Sequence, residues 1–491
     1  MAGGMWSRAN RWLTWFHRWV GVALCFVFFV WFATGAVLHF IDFPALSDND
    51  RYASADTIDG TKLTVSPSDV LKLFPATEDL RLISVAGHPT YVVTSPGNGL
   101  VALSGDSGLP VGLIAGPTAK LVAEQFAGAP ATSVDGPIAY DQWIVHQRFD
   151  PYRPLFRVRI SDDAKTDLYV SARTGEVVQR TRGNGRAWNW FGAVTHWIYF
   201  TPLRRSWSAW NQTVWWFSLV ALLTTVAGTW LGVERLIANR AAGRRGLSPF
   251  RRWMRWHHVI GLFTAVIVLG WMLSGWLSMD HGRFFSTGRV SEAEADRMRG
   301  VPWSAIADRA TLSAIQTAFP SKEIDFEAVQ GHAFVLSRGR TNRLLWLQSP
   351  GSQARIGTDR LNDTQALAAL GQVWPTNAIR PAPKDGTDAL YRLAESVPPD
   401  AFSADLILGS GPIRVYVDRY TGRVLTVMDD SRRAYAWIYY ALHTLNFPML
   451  LRMPLMRTAL ILILLGIGLG FSATGIVLGV TRLRREFYST N

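Results

Sequence analysis

The sequence has a single cysteine among its 491 residues. This residue, Cys25, lies inside an apolar run. Because a disulfide needs two cysteines, the chain forms no internal disulfide, and it has no paired-cysteine redox or zinc motif. A glycine-rich phosphate loop and a His-Glu-x-x-His zinc motif are also missing. The sequence therefore gives no support to nucleotide-driven or zinc-dependent chemistry, and nothing in it indicates a nicotinamide or flavin site.

Charged residues are missing from four long windows, at 19–41, 213–233, 259–279 and 458–480. Each window is about twenty residues or longer, which is enough to cross the hydrocarbon core of a bilayer. Tryptophan and tyrosine crowd the ends of these windows, as in the aromatic belts of membrane proteins. The first window ends without a small-residue cleavage site, so we interpret it as a retained anchor and not as a signal peptide.

The positive net charge of +13 is concentrated in three short segments. Residues 1–18, 234–256 and 481–491 together hold 13 arginines against two glutamates. By the positive-inside rule these segments face the cytoplasm, and the long segments 42–211 and 281–457 lie on the outer side. The charge is therefore a signal of topology, and we expect no nucleic-acid partner.

The chain contains an internal duplication. The matched pairs are His17–Gly21 with His257–Gly261, Thr34-Gly35 with Ser274-Gly275, 168–180 with 415–427, and 190–202 with 437–448. Each half thus has a span, an external segment, an aromatic stretch with one histidine, and a second span. Because both halves enter the membrane from the same side, this is a parallel repeat.

The predicted fold is a membrane protein with four transmembrane α-helices in two parallel repeats and two external α+β domains. YVSARTGEVV and YVDRYTGRVL predict β-hairpins, residues 67–75, 118–126, 312–320 and 363–370 predict short helices, and 156–161 and 390–396 predict strands. The expected divisions are 1–41 (cytoplasmic N-terminus and first span), 42–211 (first external domain with its histidine stretch), 212–233 (second span), 234–256 (basic cytoplasmic loop), 257–280 (third span), 281–457 (second external domain with its histidine stretch), 458–480 (fourth span) and 481–491 (cytoplasmic tail).

Six of the ten histidines lie at the predicted membrane boundaries. They are His17 and His257 on the cytoplasmic side, and His39, His196, His281 and His443 on the outer side. Neutral imidazole is a good ligand for haem iron, and two-histidine ligation needs one histidine on each of two helices at equal depth. A lone interfacial histidine is more often structural, but matched depths and the repeat favour ligation for the set.

The sequence leaves the pairing of the four outer histidines open. Symmetric pairing gives His39 with His281 and His196 with His443, whereas crossed pairing mixes the two sets. His258 lies about 100° around a helix from His257, so we interpret it as a neighbour and not a ligand. Gly21, Gly35, Gly261 and Gly275 serve either close helix packing or space for a flat macrocycle.

The duplicated histidines and the Tyr-Val-x-x-x-Thr-Gly-x-Val hairpin resemble those of the PepSY-associated transmembrane proteins. LHFIDFP (38–44), GWLSMDHGRFFS (275–286) and residues 140–163 resemble the iron-regulated branch that contains bacterial inner-membrane ferric-siderophore reductases. The resemblance implies intertwined, PepSY-like periplasmic domains and two or more b-type haems. Its ligand positions here would be His17, His39, His196, His257, His281 and His443. The second half departs from the pattern at 392–408 and leaves His146 without a counterpart.

The expected function is a multi-pass haem oxidoreductase of the bacterial inner membrane, with cytoplasmic termini and periplasmic domains. It would reduce Fe(III)-siderophore in the periplasm, because hard oxygen chelators hold ferrous iron weakly. Its electron donor would be a cytoplasmic protein or a quinol. One alternative keeps the haems but passes electrons to a periplasmic redox protein or a quinone. Another is a non-enzymatic membrane protein that binds a periplasmic protease through its PepSY modules.

Overall fold

The structure, a computed structural model, describes residues 2–286, 290–339, 341–348, 355–357, 360–408 and 411–489. With helices and strands each numbered in chain order, four helices of this described part are long and apolar enough to cross a membrane. They are α1 (Ala2–Phe40), α7 (Trp207–Ala241), α8 (Arg252–Leu277) and α16 (Pro454–Ser489). Sheet-rich domains make up most of the rest, so the predicted combination of four spans with α+β domains is confirmed.

The four long helices form a bundle in which α1 and α8 each pack against both α7 and α16. The repeat-equivalent helices α1 and α8 therefore occupy opposite corners. Their closest ring contact is between Phe32 and Trp271, whose ring centroids lie 5.8 Å apart. Gly468 makes this packing possible, since a Cβ there would lie 2.6 Å from the Phe32 ring. We call the bundle end that holds the termini the terminal side, and the other end the sheet side.

Short helices connect the strands and cover the sheets. They are α2 (Asp48–Ser54), α3 (Pro67–Leu73), α4 (Gly116–Ala127), α5 (Gly183–Asn189), α6 (Thr201–Arg204), α9 (Glu292–Arg299), α10 (Trp303–Arg309), α11 (Leu312–Ile315), α12 (Asp363–Leu370), α13 (Gly386–Ala394), α14 (Asp430–Tyr435) and α15 (Pro448–Leu451). The four short helices predicted from the sequence are confirmed as α3, α4, α11 and α12. The strand predicted at 390–396 is wrong, because Asp385 caps a helix there whose buried face carries Leu390, Tyr391 and Ala394.

The two external segments share one sheet. Its seven antiparallel strands lie in the order β11-β10-β9-β8-β1-β2-β3. Their bounds are β1 (Asp79–Val85), β2 (His88–Ser95), β3 (Gly99–Ser104), β8 (Glu323–Val329), β9 (His332–Arg338), β10 (Arg343–Trp346) and β11 (Arg355–Ile356). The segments join where β1 pairs with β8, with Leu82 opposite Ile324 in the buried core. The domains are therefore intertwined, as the resemblance implied.

Each external segment also has a four-stranded sheet of its own. The first contains β4 (Ala131–Ile138), β5 (Leu155–Ile160), β6 (Asp167–Ser171) and β7 (Val177–Thr181), and the second contains β12 (Ile379–Pro381), β13 (Phe402–Ile407), β14 (Pro412–Val417) and β15 (Val424–Met428), both in chain order. The predicted hairpins are confirmed as β6–β7 and β14–β15. Gly175 turns the first hairpin at φ +77°, and a Cβ there would lie 2.4 Å from Val85 of the shared sheet.

A buried ion-pair network lies where the two segments join. Glu323 on β8 contacts the guanidinium groups of Arg51 at 2.6 Å and Arg81 at 3.4 Å, and both arginines belong to the first segment. Burial alone would raise the pKa of Glu323, but Arg81 and Arg51 outweigh it and lower the pKa to about 2. Glu323 therefore stays ionised at neutral pH and links the two halves of the sheet.

Replacing Glu323 with glutamine is expected to destabilise the sheet, because Arg51 and Arg81 lose one of the two carboxylates that they share and keep Glu176. Breaking a buried ion pair costs about 3–5 kcal/mol, which corresponds to a Tm roughly 10 °C lower. Ionised Glu323 stabilises the fold above its ordinary pKa of 4.5, and this stability is lost as the pH falls towards about 2. Thermal unfolding of E323Q against the wild type should thus show a lower Tm at neutral pH, and a difference that shrinks as the pH falls below that ordinary pKa. E292Q, at the exposed first turn of α9, is the control, and equal Tm values for E323Q and the wild type would refute the expectation.

Candidate functional site

On the terminal side, the structure brings His17 of α1 and His257 of α8 together. Their ring centroids lie 6.4 Å apart, with the ring planes tilted by 39°. An imidazole nitrogen binds a metal at about 2 Å, so two rings on opposite sides of one metal have centroids roughly 6 Å apart. The separation of His17 and His257 therefore suits the two axial ligands of a single iron.

Hydrogen bonds fix the tautomers of these two rings. Nδ1 of His17 lies 3.0 Å from the carbonyl oxygen of Thr224, which can only accept, so this Nδ1 carries the proton. Nδ1 of His257 lies 3.0 Å from the hydroxyl of Thr474, which already donates to the carbonyl of Phe471 and so accepts from the histidine. In both rings Nε2 keeps its lone pair for a ligand, as in metal-binding histidines held by their second nitrogen.

Repeat-equivalent glycines lie beside the two histidines. A Cβ at Gly228 of α7 would lie 2.4 Å from Cε1 of His17, so α7 can approach this ring only because residue 228 has no side chain. A Cβ at Gly475 of α16 would lie 3.8 Å from Cε1 of His257, which is ordinary contact. Neither glycine is among the sequence-predicted site residues, although aligning Leu231-Gly232-Val233 with Leu478-Gly479-Val480 makes the two equivalent.

On the sheet side, His196 and His443 form a second pair of equivalent positions. His196 follows the π-helical turn Trp190–Val194, and His443 is the last residue of the π-helical turn Ala436–His443. We call residues 190–200 and 437–447 the first and second histidine segments. His196 reaches α1 and His443 reaches α8 at equivalent places in the two halves. The structure thus gives the two histidines that symmetric pairing joins equivalent positions on the sheet side.

Hydroxyl groups at equivalent positions on the long helices hold this second pair. Nδ1 of His196 lies 2.9 Å from the hydroxyl of Thr34, and Nδ1 of His443 lies 3.1 Å from that of Ser274. Both hydroxyls already donate to carbonyl groups of their own helices, so each accepts from Nδ1 and leaves Nε2 with its lone pair. All four paired histidines therefore have the same tautomer.

The glycines that follow these hydroxyl residues lie beside the rings, at an ordinary contact distance for Gly35 and at a tighter one for Gly275. A Cβ at Gly35 would lie 3.8 Å from Cε1 of His196, and one at Gly275 would lie 3.2 Å from Cε1 of His443. The sequence predicts that these glycines serve close helix packing or leave space for a flat macrocycle. In the structure their nearest aromatic neighbours are the imidazole rings themselves.

The two pairs lie near opposite ends of the bundle. Thr34 follows His17 by 17 residues along α1, and Ser274 follows His257 by 17 residues along α8. At about 1.5 Å per residue this places the two levels roughly 26 Å apart. That separation approaches the thickness of the hydrocarbon core, about 30 Å. The bundle therefore has a pair of imidazoles near each membrane face.

His39 and His281 occupy matching positions outside these pairs. Nε2 of His39 lies 2.9 Å from the hydroxyl of Thr458 on α16, and Nδ1 of His281 lies 2.7 Å from the side-chain oxygen of Asn211 on α7. Residues 211 and 458 are equivalent in the repeat. His39 aligns with Met279 in sequence, but α8 ends at Leu277 and the chain turns at Asp280 (φ +44°), which carries His281 to the matching place.

The remaining singled-out histidines have structural roles. Nε2 of His258 lies 2.9 Å from the carbonyl of Gly232, so His258 faces α7 and joins the two helices. His146 accepts a hydrogen bond from the backbone N–H of Arg148 and caps the turn Gln147–Tyr152. Neither ring is placed against the paired histidines.

The two pairs have the donor set that a b-type haem requires. Each offers two neutral imidazoles with free Nε2 lone pairs, and the helices around them are apolar. Aromatic rings stack on one member of each pair, Phe471 on His257 at 4.8 Å and Tyr439 on His443 at 5.6 Å between centroids.

Comparison with known proteins supplies a family. A family model described as PepSY-associated TM region matches residues 14–318, which include five of the six candidate ligands and leave out His443. No curated protein and no solved structure matches the chain. The matched range covers more than half of the sequence, from α1 through the first external segment, α7 and α8. The chain belongs to the family of PepSY-associated transmembrane proteins.

Proposed function

We propose that this protein is a b-type haem oxidoreductase of the bacterial inner membrane that passes electrons outward and reduces Fe(III)-siderophore in the periplasm. The proposal is supported mainly by the four repeat-related imidazoles. Two lie near each end of the bundle, and all four Nε2 atoms are free. The arginine-rich segments of the terminal side support a cytoplasmic location for that side under the positive-inside rule. The sheet domains are then periplasmic.

In this proposal, His17 and His257 hold one haem and His196 and His443 hold another. The bound haem would supply a one-electron couple at each level. His39 and His281 remain candidate ligands for a further haem on the sheet side. The number of haems is therefore two or more.

The surrounding residues fix and tune these ligands. The hydrogen bonds from Nδ1 to Thr224, Thr474, Thr34 and Ser274 orient each ring and raise the basicity of its Nε2. Beside Thr34 and Ser274 on the sheet side, Phe32, Trp271 and Leu465 fill the bundle with apolar side chains. This filling excludes water, and the low polarity is one of the factors that set a haem reduction potential.

The reduction step needs no catalytic acid or base from the protein. One electron converts the bound Fe(III) of the chelate to Fe(II), which hard oxygen ligands hold more weakly, so the metal is released. No proton transfer is needed for this step, and the electron donor would be a cytoplasmic protein or a quinol.

Mixing dithionite-reduced protein with a ferric siderophore under anaerobic conditions tests this function. We expect the reduced haem bands to disappear as Fe(II) is captured by ferrozine, with about one Fe(II) per electron lost. The gallium(III) complex of the same siderophore is the matched control, because it cannot accept the electron. Reoxidation by a quinone but not by the ferric complex would show that the acceptor is different.

A further inference from the structure

A cleft on the sheet side lies between the first four-stranded sheet and the first histidine segment. It has a volume of about 470 Å³. Asp135, Asp141 and Arg157 line its sheet wall, and Trp190 and Phe200 of the histidine segment line the other. His196 lies between these two aromatic residues in the chain. The cleft therefore borders the segment that carries one ligand of the proposed periplasmic haem.

The corresponding place in the second half is closed. Tyr169 and Tyr416 are repeat-equivalent and donate their hydroxyls to Asp141 at 2.9 Å and to Asp388 at 2.6 Å. Asp141 lies in an open loop, whereas Asp388 lies in α13 and is buried between two arginines. Helix α13 packs against α15, the counterpart of α6. The duplicated framework thus has an open cleft in one half and a covering helix in the other.

The open cleft presents hydrogen-bond acceptors. Arg157 binds Oδ2 of Asp135 at 2.6 Å and Oδ2 of Asp141 at 3.1 Å. Oδ1 of each aspartate makes no hydrogen bond within the described part of the chain. The hydrogen bond from Arg157 holds the pKa of Asp135 below its usual value, so this carboxylate stays ionised. A ligand that fits here must bring N–H or ammonium donors.

The other wall presents aromatic faces. Trp190 is 46% exposed and Phe200 is 43% exposed, and their ring centroids lie 6.5 Å apart. Exposed rings of this kind bind flat or apolar parts of a ligand. Together the two walls suit a small amphipathic molecule, and the volume is too small for a folded protein domain.

We infer that this cleft, and not its closed counterpart, binds the electron acceptor as a neutral or cationic ferric chelate that carries N–H or ammonium donors. The inference rests on the proposed function, and it adds the place of binding and the charge class. Among the residues that line the cleft, two carboxylates stand against one guanidinium. Arg159, outside the lining, lies 3.9 Å from Asp135 and 3.7 Å from Asp167, so the cleft has no excess of positive charge to attract a polyanionic chelate. The bound Fe(III) takes one electron from the reduced protein and becomes Fe(II), with no bond to the protein formed or broken.

The gallium(III) complex of a linear trihydroxamate with a terminal ammonium group is the probe for this site. Because gallium is not reduced, calorimetry with the oxidised full-length protein measures binding separately from electron transfer. W190A should weaken binding about tenfold, the effect of losing one aromatic face. D135N should weaken it several-fold, and it keeps Arg157 paired with Asp141.

The second half supplies a matched control. Trp437 is the repeat counterpart of Trp190, is 42% exposed, and lies 6.4 Å from Phe447 between ring centroids. W437A should bind the gallium complex like the wild type. The inference is overturned if the wild type does not bind the complex at millimolar concentration, or if W437A weakens binding as much as W190A. It is also overturned if a trianionic gallium tricatecholate binds equally tightly. Binding without any haem reoxidation by the ferric complex would instead count against the proposed function alone.

Discussion

Replacing His17 with alanine is expected to remove one haem from the purified protein, and replacing His257 is expected to remove the same haem. The two ring centroids lie 6.4 Å apart and both Nε2 atoms are free, so under the proposal both imidazoles would hold one shared iron. Haem per chain, measured as the pyridine complex, should fall from about two to about one in either variant, with the other pair still giving a low-spin spectrum.

The double variant H17A/H257A makes this prediction specific. Two ligands of one iron act as a unit, so the double variant should lose no more haem than either single variant. H258A is the control, because His258 bonds to the carbonyl of Gly232 and should keep the full haem content. Loss of a second haem in the double variant, or equal loss in H258A, would contradict the shared site.

The second large effect is expected at Gly228, where alanine should disrupt the terminal-side pair without touching either ligand. The new Cβ would lie 2.4 Å from Cε1 of His17, and the helix backbone cannot move away cheaply. The ring must therefore turn away from its present position beside His257. We expect G228A to lose this haem or to convert it from the low-spin to the high-spin form, seen in the optical and paramagnetic resonance spectra.

G475A is the matched control for this variant. Gly475 occupies the equivalent position on α16, and its Cβ would lie 3.8 Å from Cε1 of His257 and 3.6 Å from Cβ of Cys25. Both distances are ordinary contacts, so G475A should keep the wild-type spectrum. The same spectrum in G228A and the wild type would mean that the position of the His17 ring does not matter for binding.

Much of the architecture could be predicted from the sequence because it depends on local signals. Span length and missing charge indicate the four helices, and the Thr-Gly turns indicate the hairpins β6–β7 and β14–β15. The shared seven-stranded sheet could not be predicted, since β1 and β8 pair across more than two hundred residues. The strand predicted at 390–396 is helix α13, because Asp385 caps it and Leu390, Tyr391 and Ala394 have the spacing of a buried helix face.

The candidate site likewise has one part that the sequence predicts and another that depends on contacts between distant segments. The internal repeat in the sequence alone shows that His17 is equivalent to His257 and that His196 is equivalent to His443. Which outer histidines lie together depends on the hydroxyls of Thr34 and Ser274, whose partners come from distant segments. The correspondence of His281 with His39 depends on a backbone turn after α8, which a linear alignment cannot represent.

Electron transfer across a sealed membrane tests the central claim most directly. Proteoliposomes would hold a ferric siderophore and ferrozine inside, with a membrane-impermeant reductant added outside. We expect coloured Fe(II)–ferrozine to form inside vesicles that contain the wild type, and neither in protein-free vesicles nor in vesicles that contain H17A. Absence of lumenal Fe(II) with the wild type, or an equal rate with H17A, would contradict an electron path through the two histidine pairs.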